Sequence, residues 1–197
     1  MDPAAILTLY ARGLFPMDEP GARELPWWTA DPRTVFELDD AALAATRRKV
    51  RRSLAAAHPR WELRADEAFD EVIAACSRPR AAGDGVWLTP RMHELYRVLR
   101  AAGHGHTFEL WTADGELVAG IVAVTLGRAA MLESMFHRVP HAGNVLLVRT
   151  LEALAAGGCE LCDVQLSTPH TLRLGAREIP RAEYEARLRA ALAPPPR

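Results

Sequence analysis

The sequence predicts an α+β fold, and three observations carry that reading. Between Thr107 and Phe136, three apolar segments are separated by Ala113-Asp114-Gly115 and by Gly127-Arg128, the pattern of an antiparallel meander. From Asn144 to Ala156 the chain turns to helical spacing, with Leu147, Leu151 and Leu154 on one face and Gly157-Gly158 as the stop. A short strand from Glu160 to Gln165 follows that helix.

The remaining elements read in order. Ala4 to Arg12 has one short helical pattern, inside a segment rich in Pro, Gly and aromatics that we take as an N-terminal cap, residues 1–32. Residues 33–197 form the expected catalytic domain. It begins with a strand at Thr34 to Glu37, a helix from Ala41 to Ala57, a strand at Trp61 to Arg64 and a helix from Glu67 to Cys76. A loop with Arg78-Pro79-Arg80 and Gly83-Asp84-Gly85 follows. Thr89 then caps a helix that has Pro90 at its first position and runs to about Ala102. After the strand ending at Gln165 comes a loop through Ser167, Thr168, Pro169 and His170, then a last helix from Arg181 to about Leu192 and a frayed Pro-rich tail.

At 197 residues and 49% apolar content the chain suits a single full core. The start, M-D-P-A-A, lacks the basic and apolar regions of a signal peptide, and no apolar run approaches a membrane span, so a cytoplasmic protein with no membrane partner is expected. The three cysteines are expected as thiols. Cys159 and Cys162 form a C-x-x-C without a second pair, on a strand pattern that turns them to opposite faces, so they read as small packing groups and no metal site is expected. Net charge is −1, which excludes a generally basic nucleic-acid binder. The charge is uneven, however: Arg47, Arg48, Lys49, Arg51 and Arg52 cluster on a helical segment, with Arg60 and Arg64 beyond. Taken alone, such a run is a solvated helix face; beside a second clue it is a phosphate dock.

The chemistry lies between Met131 and Arg181. M-L-E-S-M-F-H-R and C-D-V-Q place Glu133, Asp163 and Gln165 on two strands of one sheet, among residues that otherwise read as core. Buried carboxylates without partners cost several kcal/mol, so these three mark a site. No Ser-His-Asp or Cys-His arrangement is vouched for by spacing. Trp27, Trp28, Trp87, Tyr96, Trp111 and Phe136 supply aromatic surface; Trp111 reads as core, whereas Trp87, between a Gly-rich loop and a helix cap, reads as a ligand contact.

A meander, a helix and a further strand in this order are similar to the GNAT acyltransferase fold. A CoA-using enzyme of that fold needs a glycine-rich turn before the long helix. Here Arg138-Val139-Pro140-His141-Ala142-Gly143 has one glycine and a proline that lacks an N–H, so no CoA and no other cofactor is expected. Taken together, Y-A-R-G-L-F-P, W-W-T-A-D-P-R, G-V-W-L-T-P, G-H-G-H, E-S-M-F, C-D-V-Q and L-G-A-R-E-I-P-R resemble the leucyl/phenylalanyl-tRNA-protein transferase family over nearly the whole chain. The resemblance implies a GNAT-like core and transfer of Leu or Phe from aminoacyl-tRNA to a protein's N-terminal Arg or Lys, which marks that protein for degradation. It implies that Glu133 pairs with the acceptor's cation. Asp163 and Gln165 act together, either taking the amine's proton or holding the acceptor. Trp87, Tyr96, Met135 and Ile121 line the pocket for the terminal adenosine and donor side chain, and the cluster at Arg47 to Arg52 docks the tRNA acceptor stem.

The chain departs from the family pattern in places. Met17 stands where a tryptophan is usual after Phe15-Pro16, which thins an adenine-stacking wall. Thr150 and Leu154 replace aromatics, Ile121 replaces a methionine, and the N-terminal region and C-terminal tail are shorter. Donor preference among Leu, Phe and Met is left open. The alternatives are a related aminoacyl-tRNA-dependent transferase with another acceptor, which Glu133 disfavours where that acceptor is acidic, a catalytically silent tRNA- or peptide-binding protein, and a CoA-dependent acetyltransferase.

Overall fold

The structure is a computed structural model that describes residues 1–19, 21–56, 61–78 and 87–194. Arg60, Arg80, the Gly83-Asp84-Gly85 turn and the end of the Pro-rich tail lie outside the described residues. From the N-terminus, α1 (Pro3–Ala11) leads into a small ribbon of β1 (Phe15–Pro16) against β2 (Trp27–Trp28), and then into β3 (Arg33–Phe36). α2 (Asp40–Lys49), α3 (Arg51–Ala56), β4 (Glu62–Ala65), α4 (Phe69–Cys76) and α5 (Pro90–Ala101) follow. The meander is β5 (Gly105–Trp111), β6 (Leu117–Leu126) and β7 (Ala129–His137). It is followed by α6 (Ala142–Ala156), β8 (Leu161–Gln165), α7 (Pro169–Leu174), β9 (Arg177–Ile179) and α8 (Arg181–Leu192).

One seven-stranded sheet in the order β4-β5-β6-β7-β8-β3-β9 forms the centre. Every pairing is antiparallel except that of β7 with β8, which α6 joins as a crossover. Helices cover both faces. Residues of α1, α4, α5 and α8, among them Ile6, Val72, Leu95 and Leu188, form one buried core. Val50, Leu146, Leu151 and Leu174, from the α2–α3 junction, α6 and α7, pack with the other face. The N-terminal segment belongs to the first core: Ile6 and Tyr10 are buried in it with Tyr184 of α8.

Several boundaries differ from the sequence pattern, each for a local reason. The helix expected over 41–57 is two helices that break at Val50, which is buried, while Ser53 is held by His141 Nδ1 (3.1 Å) and Asn144 Nδ2 (2.9 Å) at the start of α6. α4 begins at Phe69 rather than Glu67, because the amides of Glu67 and Ala68 are taken by the Glu109 carboxylate on β5 (3.4 and 3.3 Å). The loop at Ser167–His170 opens into α7, which Thr168 and Thr171 start with a capping box, and β9 has no counterpart in the sequence pattern. Thr89 caps α5 as the sequence indicated. Gly105 is a steric requirement: a Cβ there would lie 2.7 Å from Arg100 N and 2.8 Å from Tyr96 O, so α5 presses directly on the first residue of β5. That close approach fixes the height of Tyr96 over the sheet.

Candidate active site

β7 and β8 pair over only three positions, Ala129 with Leu161, Ala130 with Cys162 and Met131 with Asp163. Beyond these β7 continues to His137 without its neighbour. The register of β6 on β7 also jumps, from Ala123 opposite Leu132 to Val122 opposite Ser134, which leaves Glu133 as the extra residue of a bulge. A bulge re-aims a side chain. Here it turns Glu133 into the gap between the parting strands, where a cleft of about 850 Å³ opens. One wall is apolar, made by Phe36, Ile121, Leu132, Met135, Leu147 and Val164 on the α6 side. Glu133, Gln165 and Cys76 meet the cleft on the other side, with Met17 and Trp87 at its edge.

Glu133 accepts a hydrogen bond from Tyr96 Oη at 3.2 Å through Oε2. Its Oε1 is buried with no hydrogen-bond partner, and so is Tyr10 Oη, which faces the same carboxyl from α1. Burial raises the acid most and the Asp163 charge adds to it. Tyr10, Tyr96 and Arg33 act in the opposite direction, and the carboxyl is pushed up to about 8. Both tyrosines are raised well above their ordinary value, again chiefly by burial.

Asp163 lies beneath the cleft and is fully buried. Arg33 grips it twice, Nε to Oδ1 at 2.9 Å and Nη2 to Oδ2 at 2.6 Å. Tyr184 Oη donates to Oδ2 at 2.8 Å, and the Gln165 backbone N–H to Oδ1 at 2.8 Å. The guanidinium also donates to Gly13 O at 3.1 Å and lies over the rings of Phe15 (4.7 Å) and Tyr184 (4.5 Å). Each Asp163 oxygen therefore accepts two donors, which occupies both of its lone-pair directions. Gln165 sits at the end of β8 with φ +60°, a conformation its bond to Asp163 holds. In the amide orientation that satisfies both side-chain atoms, its nitrogen donates to Val164 O (3.0 Å) and Leu132 O (3.2 Å), bridging the parted strands.

Of the expected pocket residues, Met17, Trp87, Ile121 and Met135 line the cleft with Glu133 and Gln165. Tyr96 and Asp163 do not. Tyr96 is fully buried and reaches the site only through its hydroxyl on Glu133, so it supports the acid rather than lining the pocket. Met17 and Trp87 are tied together by Asp18, which accepts from Thr89 Oγ1 at 2.5 Å and pairs with Arg91. Burial would raise Asp18, but Arg91 and Thr89 outweigh it and hold its carboxyl below the usual range. Thr150 and Leu154 lie in the second core, away from the cleft lining.

Sequence reading missed Phe36, Leu132 and Leu147, which look like ordinary core until β7 and β8 part beside them. It also missed Tyr10, whose only signal was its place in Y-A-R-G-L-F-P, and Arg138 at the cleft's rim; His137 and His170, which the sequence places near the site as structural residues, do line that rim. The basic cluster is exposed at the junction of α2 and α3, beside the start of α6. Arg47 pairs with Glu152; Arg48, Lys49, Arg51 and Arg52 make no ion pair among the described residues. Cys159 and Cys162 are thiols whose ionisation burial opposes. Among the described residues no group of three or more His, Cys, Asp or Glu could hold a metal ion, and no helix is long and apolar enough to cross a membrane.

A mixed sheet that opens between two parallel strands, onto a cleft with an acid on one side and an apolar wall on the other, is a GNAT-like fold. The solved structure of FemX shares that fold, with a TM-score of 0.57 at 11% identity, covering 88% of this chain and 65% of that one. The family model for leucyl/phenylalanyl-tRNA protein transferase matches residues 36–189. A leucyl/phenylalanyl-tRNA–protein transferase of Anaeromyxobacter sp. (strain K) is 43% identical over 99% of this chain and 81% of its own length. One from Bordetella petrii is 41% identical over 94% of this chain and 74% of its own. The chain belongs to the leucyl/phenylalanyl-tRNA protein transferase family and is an aminoacyltransferase.

Two outcomes follow from the electrostatics. Arg33→Met strands a buried carboxylate, and urea unfolding should show a loss of about 3–5 kcal/mol, with Arg33→Lys losing less. For Glu133 the folded-state value, about 8, lies above the ordinary 4.5, so the native state holds the extra proton and wild-type stability falls as pH rises between those values. Glu133→Gln removes that loss. Thermal melts should show the mutant's advantage growing through this window and levelling off above it.

Proposed function

We propose that this chain transfers Leu or Phe, with Met as a further donor, from aminoacyl-tRNA to the N-terminal Arg or Lys of proteins and thereby marks them for degradation. The observation that carries this reading is the Oε1 of Glu133, buried without a hydrogen-bond partner in a cleft that carries an apolar wall on its α6 side. The acid offers the acceptor's cation a charge-assisted partner. The wall of Phe36, Ile121, Leu132, Met135, Leu147 and Val164 suits a donor side chain without polar atoms. Met17 and Trp87 at the edge suit the terminal adenosine, and the exposed cations from Arg48 to Arg52 suit the acceptor stem.

An aminoacyl ester is already activated. The acceptor amine attacks its carbonyl carbon, the new C–N bond forms, and the C–O bond to the ribose breaks. The proton lost by the amine balances the one gained by the leaving ribose oxygen. What the protein supplies is position, which is worth about 7–11 kcal/mol when two reactants are held in line. In this reading Gln165, locked across the parted strands, orients the amine. Asp163, with both oxygens already bonded, acts through Gln165 and is read as its positioning residue rather than as the base.

Transfer of labelled Leu and Phe from charged tRNA to peptides that begin with Arg, Lys, Asp or Ala tests the assignment. Arg and Lys peptides should be the acceptors, and Glu133→Gln should lower their kcat/KM by about ten- to a hundredfold, the worth of a hydrogen bond to a charged group. Equal transfer to Ala peptides would remove Glu133 from acceptor choice. Alanine at Arg48, Arg51 and Arg52 should weaken tRNA binding and flatten its salt dependence, by roughly 0.7–0.9 in log–log slope for each phosphate left without its arginine. An unchanged slope would return the cluster to a solvated face.

A further inference from the structure

The floor of the cleft poses a charge problem. Glu133 Oε1 and Tyr10 Oη are buried and neither makes a well-formed hydrogen bond, although the Tyr10 hydroxyl faces the carboxyl and favours its charged form, while Tyr96 bonds Oε2. An ionised carboxylate in that place is under-solvated, and a buried unpaired charge costs several kcal/mol. Two species relieve it: a proton on the acid, or a cation from outside. The ionisable groups that face Glu133 are Tyr10 of α1, Tyr96 of α5, Asp163 of β8, Arg33 of β3 and Tyr184 of α8. Arg33 is the cation among them, and it is spent on Asp163 and Gly13 O. Among the described residues the fold therefore provides an acid, two hydroxyls and no cation that hydrogen-bonds the Glu133 carboxyl.

We propose that a proton and the side-chain cation of the acceptor's first residue compete for one place bounded by Glu133, Tyr10 and Tyr96, so that an Arg or Lys acceptor enters with release of one proton. This rests on reading Glu133 as the acceptor contact. Before binding, the acid carries O–H. On binding, that proton leaves to solvent, the acceptor's N–H groups donate to Oε1, and Tyr10 Oη accepts from the same cation. Tyr96 keeps its bond to Oε2 throughout. Tyr10 thus becomes an acceptor-binding residue supplied by the N-terminal segment. Below the pH at which the acid ionises, the Kd of an Arg peptide should rise about tenfold for each unit fall in pH.

Infrared difference spectra of the whole chain with a tetrapeptide beginning with Arg, without tRNA, decide the matter. At about pH 6.5, below the ionisation of Glu133 near 8, the free protein should show a protonated-carboxyl stretch that Glu133→Gln lacks and that the peptide abolishes. Gln has the size of the neutral acid, so that variant keeps the packing. A stretch that persists with peptide bound would place the cation elsewhere and overturn both this exchange and the acceptor reading. If the free protein shows no such stretch while Glu133→Gln still weakens the peptide, the exchange falls and the acceptor reading stands. A wild-type protein that binds no Arg peptide would remove both. Tyr10→Phe should weaken the Arg peptide several-fold and leave a peptide beginning with Ala unchanged; an equal effect on both would make Tyr10 a packing residue only.

Discussion

The buried ion pair of Arg33 with Asp163 is the interaction on which the rest of the site depends. A bidentate pair sealed from water is favourable only when the remaining donors and acceptors are also met, and here both Asp163 oxygens and all three Arg33 nitrogens have partners. The partners come from distant parts of the chain: Gly13 and Phe15 from the N-terminal segment, Arg33 from β3, Asp163 from β8 and Tyr184 from α8. Satisfying one charge therefore assembles the N-terminal segment, the centre of the sheet and the last helix together. The same carboxylate then holds the backbone of Gln165 in a left-handed conformation at the cleft's edge.

Sheet geometry completes what the ion pair begins. Parallel strands joined by a helix can stay paired along their length or part, and β7 and β8 part after Met131 and Asp163. At that level the bulge at Glu133 faces the gap, so the sheet is open where its strand is kinked. The opening joins the two faces of the sheet. Glu133 has Tyr10 and Tyr96 of the first core behind it, while Leu132, Met135 and Val164 turn to the side of α6. An acid and an apolar wall thus meet the same small space from opposite sides, which suits two substrates whose reacting ends must touch.

The N-terminal segment is more than a cover. Its Tyr10 stands behind Glu133, its Gly13 carbonyl and Phe15 ring stabilise Arg33, and Asp18 fastens Met17 to the start of α5 beside Trp87. All of these interactions act on the cleft from outside the sheet. With Met17 in place of a larger ring, Trp87 is the aromatic surface of this edge, and Thr89 both caps α5 and bonds Asp18. A helix cap that serves also as a fastening accounts for the threonine of the W-L-T-P segment.

The amino-acid sequence by itself determined the meander, the capped helix at Pro90, the α6 crossover and the identities of Glu133, Asp163 and Gln165. Those features depend on residues close in the chain, where period and capping chemistry act directly. It also exposed the basic cluster and the Met17 substitution. Only the tertiary structure decided what the three polar residues bond to and where they face. Asp163 finds its counter-charge 130 residues away, and no local pattern carries that pairing. Glu133 owes its direction to a register jump against β6, which alternation along β7 alone does not reveal. Phe36 and Leu147 read as core because they are apolar and buried, and they border the cleft because two neighbouring strands part beside them. The physical reason is one: periodicity fixes which face a residue occupies, whereas register, partner and opening are set by interactions between segments far apart in the chain.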